Sequence, residues 1–271
     1  MEKTDVGKAP VRALFLDVDG TLVSFETHRV SDATREALIE AHRRGVKLFV
    51  ATGRTASNLA PLAGLPFDGA VLLNGASCLA GDGSVVSRHP IPEADFERIM
   101  AFSEELGFPV VLEMEEGLFA DRLSPEIEEM VRMVELGIPL QVTDIRAKFA
   151  EGGCCQLCLF FDAGTERRVM EHLPGLVAAR WFPTFADINV RGVDKATGMA
   201  GFADRFGFSL RETMAFGDGG NDVQMLRAAG IGVAMGNACE EARAAADWVT
   251  SSVDEEGIVR ALVHFGVIGP R

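Results

Sequence analysis

The chain has 271 residues and a formal net charge of −14 at pH 7. Apolar residues make up 48% and charged residues 24%, a globular composition that excludes a largely disordered chain. The acidic balance argues against nucleic acid as a partner, since a phosphate backbone is held by clustered Lys and Arg. No apolar stretch reaches the roughly 18 residues that span a bilayer, and residues 1–10 lack the apolar segment of a signal peptide. We therefore expect a cytoplasmic protein with no membrane partner.

The first part of the chain alternates short apolar runs with helical patterns. The spacing predicts strands at residues 13–16, 46–51 and 70–73, and helices from Ser31 or Asp32 to Gly45 and at residues 56–63. A hairpin with strands at residues 78–80 and 85–87 follows, turning at residues 81–83. Strands that alternate with helices indicate a parallel sheet.

The pattern changes at Pro90 and changes back at Asp194. Between them, predicted helices (93–106, 125–136, 165–172) mix with predicted strands (110–114, 118–122, 154–161, 177–182, 185–190), which indicates an α+β domain on one antiparallel sheet. From Asp194, strands at 213–216 and 231–234 again alternate with helices, the last at 256–265. We predict an α/β fold, a Rossmann-like doubly wound parallel core of residues 1–80 and 191–271, with residues 81–190 as the inserted domain.

Four polar segments follow predicted core strands or begin predicted helices. They are residues 17–21 (Asp-Val-Asp-Gly-Thr), residues 52–54 (Thr-Gly-Arg), Lys195 and residues 217–222 (Gly-Asp-Gly-Gly-Asn-Asp). In a parallel sheet these segments converge on one edge. By average composition the first pattern arises in about one chain in a few hundred and the last in about one in ten thousand. Their joint presence therefore indicates a shared site.

The residue types suggest the chemistry of that site. Four carboxylates, those of Asp17, Asp19, Asp218 and Asp222, would meet the single ammonium of Lys195. This excess of negative charge favours a hard cation, and all-oxygen ligation is typical of Mg²⁺. A carboxylate can attack phosphorus to form an aspartyl-phosphate, while a second acid protonates the leaving oxygen and later deprotonates water.

The four segments, in this order, resemble the motifs of the haloacid dehalogenase-like (HAD) superfamily of phosphotransferases. The large insert between the second and third resembles the Cof-type branch with a type IIB cap, and residues 73–76, 181–189, 231–236 and 254–258 extend the similarity. The chain looks most similar to hexose-phosphate phosphatases. The resemblance implies that the inserted domain is a cap that holds the leaving group, that Mg²⁺ is the cofactor, and that the substrate is a small phosphorylated metabolite, expected to be a sugar phosphate.

The resemblance also implies residue roles. Asp17 would be the nucleophile and Asp19 the acid/base, with Asp17, the Asp19 backbone carbonyl and Asp218 as metal ligands. Asp222 would orient either Lys195 or a metal-bound water. The remaining implied residues bind phosphate or substrate: Thr52 and the Gly53 N–H at the phosphoryl oxygens, Lys195 between nucleophile and phosphate, Asn221 at the phosphoryl group, and Arg54, Asn74 and Gly75 at the substrate.

Substrate specificity is harder to predict from the sequence. Candidate cap contacts to a polyol leaving group are Glu113, Glu115, Arg122, Asp187 and Asn189, each of which is equally compatible with a solvated surface. Residues 154–158 contain a C-x-x-C within an apolar run, which favours buried structural cysteines over a metal site. A sugar phosphomutase and a noncatalytic metabolite-binding protein on the same scaffold stay open as alternatives, as do a monomer and a homodimer.

Overall fold

The computed structural model describes residues 10–133 and 140–270. The chain divides into two compact units. The larger unit comprises residues up to Thr52, Pro61–Val86 and the chain from Asp194 onward, and the second unit comprises Gly53–Ala60 and Ser87–Val193.

Strands alternate with helices along most of the described chain. The strands are β1 (Ala13–Leu16), β2 (Lys47–Ala51), β3 (Gly69–Leu72), β4 (Ser77–Ala80), β5 (Val85–Arg88), β6 (Val110–Met114), β7 (Gly117–Ala120), β8 (Leu140–Val142), β9 (Gln156–Leu159), β10 (Leu176–Phe182), β11 (Phe185–Val190), β12 (Thr213–Gly217), β13 (Ile231–Ala234) and β14 (Trp248–Val249). The helices are α1 (Asp32–Arg43), α2 (Glu93–Leu106), α3 (Pro125–Met133), α4 (Ile145–Ala150), α5 (Ala163–Met170), α6 (Lys195–Phe206), α7 (Val223–Ala228), α8 (Glu240–Ala245) and α9 (Gly257–His264). None of these helices, which cover the described parts of the chain, combines the length and apolar character needed to cross a membrane.

The larger unit is built on a sheet with the strand order β14-β13-β12-β1-β2-β3-β4-β5. The pairs from β14 to β3 are parallel, and β4 runs antiparallel to β3. In register, Leu16 lies beside Val50 of β2 and Phe216 of β12. The segments that follow these three strands therefore leave the sheet at the same edge, and the predicted α/β fold with a parallel core is confirmed.

Burial on both faces explains why the central strand is a continuous apolar run. All four residues of β1 are fully buried, as parallel strands covered by helices usually are. On one face, Phe15 stacks on Phe49 of β2 with ring centroids 4.8 Å apart, and Phe202 of α6 packs against both rings. The helix that carries Lys195 is thus fixed to the centre of the sheet.

The second unit contains a sheet with the order β10-β11-β9-β6-β7-β8. Helices α2, α4 and α5 cover one face with an apolar cluster that includes the stacked rings of Phe96 and Phe149. The opposite face carries a smaller cluster that includes Ile127 and Met130 of α3. The prediction of a wholly antiparallel sheet is wrong at one edge, because β8, which was not predicted, pairs parallel to β7.

Other local differences have physical causes. Residues 56–63, predicted as a helix, form two 3₁₀ turns at Ala56–Asn58 and Ala60–Leu62. Pro61 lacks an N–H and its ring would clash with a carbonyl one helical turn earlier, so an α-helix cannot pass through it. The short helix α4 was not predicted, and the predicted end of α3 at residues 134–136 lies outside the described residues. The strand β5, which the predicted border at residue 80 assigned to the inserted domain, extends the larger sheet.

Candidate active site

Asp17 is the first residue after β1. Its backbone N–H donates to the carbonyl of Phe216 at 3.0 Å, so the pairing with β12 continues to the residue that bears the carboxylate. Asp17 is 6% exposed. Burial raises its pKa well above the usual range, the charge of Asp222 raises it further, and the ammonium of Lys195 opposes both effects. An ionised Asp17 therefore depends on nearby positive charge.

Lys195 supplies that charge from the first position of α6. The helix is capped by Asp194, whose side chain accepts a hydrogen bond from the Thr197 N–H at 2.9 Å. The Lys195 side chain is fully buried, and its Nζ lies 2.6 Å from Asp17 Oδ1 and 2.7 Å from Asp222 Oδ1. Burial disfavours the charged amine, but the two carboxylates outweigh it and raise the Lys195 pKa, so this group stays a cation.

Asp222 is fully buried and holds its loop together. Its Oδ2 accepts hydrogen bonds from the backbone N–H groups of Asp218 at 3.0 Å and Gly219 at 2.9 Å, while Oδ1 contacts Lys195. Gly217 must lack a side chain, because a Cβ there would lie 2.5 Å from Asp222 Cγ. Of the two implied roles for Asp222, orienting Lys195 is the one that these hydrogen bonds support.

Asp218 is only partly buried, at the open side of the acidic group. Its Oδ1 accepts from the Thr21 hydroxyl at 3.2 Å, and its Oδ2 accepts from Asn237 Nδ2 at 3.3 Å. Burial, and then the charge of Asp222, raises its pKa to about 6. Asn237 was not predicted from the sequence; an Asn just beyond the end of β13, the strand beside β12, was a signal that could have found it.

The chemistry of the donor set is that of a metal site. Carboxylate oxygens of Asp17, Asp218 and Asp222 all lie within 4.8 Å of one another. Lys195 can neutralise one of these three charges, and burial together with the charge of Asp222 raises the pKa values of Asp17 and Asp218. A hard divalent cation with oxygen ligands fits this group. Asp19 is less buried than Asp17, and its implied ligation through the backbone carbonyl stays a prediction.

The polar residues after β2 and β3 meet those after β12. Asn221 Nδ2 donates to Asn74 Oδ1 at 3.0 Å, and the Asn74 N–H donates to the carbonyl of the buried Thr52 at 2.9 Å. Gly75 has a φ of +100°, and a Cβ there would lie 2.0 Å from the carbonyl oxygen of Asp194. Because Gly75 has no side chain, Asp194, the N-cap residue of α6, can approach it closely, and this contact helps to place Lys195.

The other predicted site residues belong to the second unit. Arg54 Nη1 donates to the carbonyl of Asn58 at 2.9 Å, and Gly53 precedes it. Asp187 and Asn189 are buried on β11, where Asn189 Nδ2 donates to the Cys155 carbonyl at 3.1 Å. The remaining candidates have partners of their own: Glu115 accepts from the Ala56 N–H at 3.1 Å, and Arg122 pairs with Asp121.

A second acidic group occupies the second unit, on the sheet face opposite α2 and α5. Ligand atoms of Glu113, Cys158 and Asp187 lie within 4.8 Å of one another, and Gln156 Nε2 donates to Glu113 Oε2 at 2.7 Å. Burial, and then the charge of Asp187, raises the Glu113 pKa to about 8. Cys154 packs in the cluster on the other face, and Cys154, Cys155 and Cys158 are all buried free thiols, as expected of structural cysteines.

Comparison with known proteins decides the family. The sequence profile of the haloacid dehalogenase-like hydrolases matches residues 14–262. The chain is a haloacid dehalogenase-like hydrolase. BT1666 from Bacteroides thetaiotaomicron, described among phosphatases of the HAD superfamily, superposes on this HAD-like chain with a TM-score of 0.91 and 49% identity, covering 98% of this chain and 99% of its own.

Two further relatives narrow the branch. BT4131, described as a HAD subclass IIB sugar phosphatase, has a TM-score of 0.85 and 38% identity over 95% of this chain and 100% of its own. The 5-amino-6-(5-phospho-D-ribitylamino)uracil phosphatase YcsE of Bacillus subtilis is 27% identical over 94% of this chain and 96% of its own. The predicted Cof-type, subclass IIB assignment is confirmed, and this HAD-like hydrolase is a phosphatase.

Proposed function

We propose that this phosphatase hydrolyses a sugar phosphate, with hexose phosphates as the first candidates, through a phosphoaspartate on Asp17 and with Mg²⁺ as cofactor. The observation that carries the proposal is the buried Asp17 carboxylate at the carboxyl edge of the parallel sheet, 2.6 Å from the ammonium of Lys195. A buried carboxylate held in the charged form by a fixed cation is suited to nucleophilic attack.

The reaction proceeds in two displacements at phosphorus. An Asp17 oxygen attacks the phosphoryl group, the bond to the sugar oxygen breaks, and Asp19 gives its proton to that oxygen. Asp19 then takes a proton from water as the water oxygen attacks the phosphoaspartate, which releases inorganic phosphate and restores the Asp17 carboxylate. Lys195 neutralises charge between the nucleophile and the phosphate throughout.

Phosphatases of this superfamily generally use Mg²⁺. Here Asp17, Asp218 and the Asp19 backbone carbonyl would hold the ion, with Asp222 nearby on Lys195. When bound, Mg²⁺ supplies positive charge that lowers the repulsion between the carboxylate and the phosphate dianion. The donor set of oxygen atoms supports this choice over softer metals.

Polar groups around the acids would bind the phosphate. Thr52 and the Gly53 N–H are proposed for the phosphoryl oxygens, together with the Asn221 amide. Asn74 supports this assignment because it orients the Asn221 side chain by a hydrogen bond of 3.0 Å. Arg54 is proposed as a contact to the substrate.

The sugar assignment rests on the second unit. We assign the predicted inserted domain, residues 81–190 without strand β5, as the cap, and residues 1–80 and 191–271, together with β5, as the catalytic domain. Asp187 and Asn189 of the cap carry carboxylate and amide groups that suit sugar hydroxyls. Two relatives, a sugar phosphatase and a phosphatase of a ribityl compound, support a polyol phosphate as the substrate.

A substrate panel tests the proposal. Purified protein is given Mg²⁺ and hexose, pentose and polyol phosphates, nucleotides and p-nitrophenyl phosphate, and released phosphate is measured with and without EDTA. We expect release from sugar phosphates that EDTA abolishes and that Asp17→Asn abolishes, while the surface change Asp32→Asn leaves it intact. No release from any compound overturns the proposal, and an isomerised sugar phosphate without free phosphate identifies a mutase instead.

A further inference from the structure

Asn237 joins three separate segments of the larger unit. It lies beyond the end of β13, and its Nδ2 donates to the Gly20 carbonyl at 2.8 Å and to Asp218 Oδ2 at 3.3 Å. Its Oδ1 accepts from the backbone N–H of Val253 at 3.0 Å. An amide nitrogen has two hydrogens and an amide oxygen has none, so only one orientation of the side chain satisfies all three partners.

The two acceptors that Asn237 bridges are forced close together by the loop after β1. Gly20 has a φ of +78°, and a Cβ there would lie 2.3 Å from Asp218 Oδ2. Only glycine fits both this backbone conformation and this approach. A backbone carbonyl and a carboxylate on neighbouring loops repel each other unless a donor links them, and the Asn237 amide is that donor.

The Oδ1 side of Asn237 contacts the segment of residues 251–253. The Gly236 N–H donates to the Ser251 carbonyl at 2.9 Å, and a Cβ on Gly236 would lie 2.4 Å from the backbone nitrogen of Ser252. The segment 251–253 therefore packs directly on the chain beside Asn237. The Val253 N–H that fixes the Asn237 oxygen begins a 3₁₀ turn, Val253–Glu255, that Ser252 caps.

We propose that Asn237 is a positioning residue for Asp218, and that it increases the affinity of the site for Mg²⁺. The Thr21 hydroxyl donates to Oδ1 of Asp218 and the Asn237 amide donates to Oδ2, which together restrict rotation of the carboxylate. A ligand held in one orientation binds a metal more tightly than one that must be ordered on binding. The inference rests on the proposed function, in which Asp218 is a metal ligand.

The exposure of Asn237 allows its role in positioning Asp218 to be distinguished from a role in stabilising the fold. Asn237 is an exposed residue, and at the surface the loss of a hydrogen bond costs little stability because water replaces the partner. Asn237→Ala should therefore leave the melting temperature of the metal-free protein unchanged. A loss of metal affinity in a variant of unchanged stability is not expected of a residue that only supports the fold.

The test measures Mn²⁺, as a stand-in for Mg²⁺, by isothermal titration of the full chain without substrate. Asn237→Ala is expected to weaken Mn²⁺ binding about 10-fold, in line with other residues that orient metal ligands. Val253→Pro removes the N–H that orients Asn237 and should weaken binding by a smaller factor than Asn237→Ala, because the two bonds from Asn237 Nδ2 are still possible. Proline suits the first position of a turn, and the matched control Val253→Ala keeps the N–H and should bind as the unaltered protein does.

Each outcome decides the inference. If Asn237→Ala folds and binds Mn²⁺ with unaltered affinity, the proposed role of Asn237 is overturned. If Asn237→Ala does not fold, equal Mn²⁺ affinity in Val253→Pro and Val253→Ala overturns that role instead. Failure of the unaltered protein to bind Mn²⁺ overturns the proposed metal, and this inference with it. Normal binding by the unaltered protein with no effect of the variants overturns the role of Asn237 alone.

Discussion

Each compact unit holds a group of acids whose ligand atoms lie within 4.8 Å of one another, but the two groups are neutralised differently. In the larger unit, Asp17 and Asp222 flank the buried ammonium of Lys195, with Asp218 beside them. In the second unit, Glu113 and Asp187 lie beside a thiol, and the donor to Glu113 is the uncharged amide of Gln156.

Burial raises the pKa of acids in both groups, but the two groups differ in what opposes that effect. The carboxylates on Lys195 keep it charged, and Lys195 in turn favours the charged form of Asp17. Burial still raises the pKa of Asp17, so a further cation is needed to hold all three carboxylates in the charged form. Glu113 has a pKa of about 8 and takes up a proton at neutral pH instead. The first group therefore contains a buried cation that opposes protonation of its carboxylates, whereas Glu113 in the second group accepts from an uncharged amide.

Replacing Lys195 is expected to have the largest effect on activity and stability, because it removes the cation that distinguishes the two acidic groups. Lys195→Met leaves two buried carboxylates without their cation, which should abolish phosphate release and cost about 3–5 kcal/mol of unfolding free energy at pH 7. Lys47→Met is the control, since the Lys47 side chain is 41% exposed where it pairs with Asp68 at 2.7 Å, and its loss should cost about 1 kcal/mol. Urea titration and phosphate release measure both; turnover above a tenth of normal in Lys195→Met contradicts the account.

A smaller change tests the other carboxylate on Lys195. Asp222→Asn can still accept the N–H groups of Asp218 and Gly219 through its oxygen, but its NH₂ then faces the Lys195 ammonium, donor against donor. We expect phosphate release to fall about 10²-fold, the cost of roughly 2.7 kcal/mol in the transition state, while the chain stays folded. Steady-state kinetics measure the loss. Near-normal turnover would show that Asp222 does not orient Lys195.

Added Mg²⁺ should distinguish the two acidic groups. Saturating Mg²⁺ is expected to stabilise the unaltered protein by about 1–3 kcal/mol, because an ion that binds only the folded state shifts the unfolding equilibrium. Asp218→Asn should lose this shift in the melting temperature, whereas Glu113→Gln should keep it. If Glu113→Gln also loses the shift, the second group holds a cation rather than a proton.

The smallest expected effect is the pH dependence contributed by Glu113. Its pKa is about 8 in the folded chain and near 4.5 when unfolded, so the folded state binds the extra proton and this stabilisation is lost as pH rises through 8. Linkage with these two values sets an upper limit of about 4 kcal/mol on the loss between pH 5 and 8.5. Glu113 is partly exposed, and solvent screening lowers the expected loss to about 1–2 kcal/mol. Glu113→Gln should flatten it in urea titrations, and the control Glu116→Gln, a surface residue, should not. An unchanged pH profile in Glu113→Gln contradicts proton uptake.

The sequence predicted the parallel core strands of the larger unit and most of the residues that meet at their ends, although it missed Asn237 and placed β5 in the inserted domain. Strand β1 was predicted with its observed bounds because burial on both faces makes a continuous apolar run, and the acids follow such strands directly. The turns at residues 56–62 were mistaken for a helix, although Pro61 was visible. Strand β8 and helix α4 are too short for their periodicity to stand out.

The features that could not be predicted from the sequence depend on contacts between segments that are far apart in the chain. The hydrogen bonds of Asn237 join residues 217 and 16 positions away in the chain, and no local pattern encodes them. The group of Glu113, Cys158 and Asp187 arises from strand register, in which Cys158 lies opposite both Val111 and Asp187. A one-residue shift of either strand would turn these side chains to the other face.

The central claim is that Asp17, held by Lys195, carries the phosphoryl group. The most direct measurement is to quench the Mg²⁺-loaded protein during turnover of p-nitrophenyl phosphate, reduce it with borohydride and map the product by peptide mass spectrometry. Borohydride converts an aspartyl-phosphate to homoserine, so the account predicts homoserine at position 17 and none at position 19. Phosphate release without modification at position 17, or with modification at position 19 instead, would contradict it.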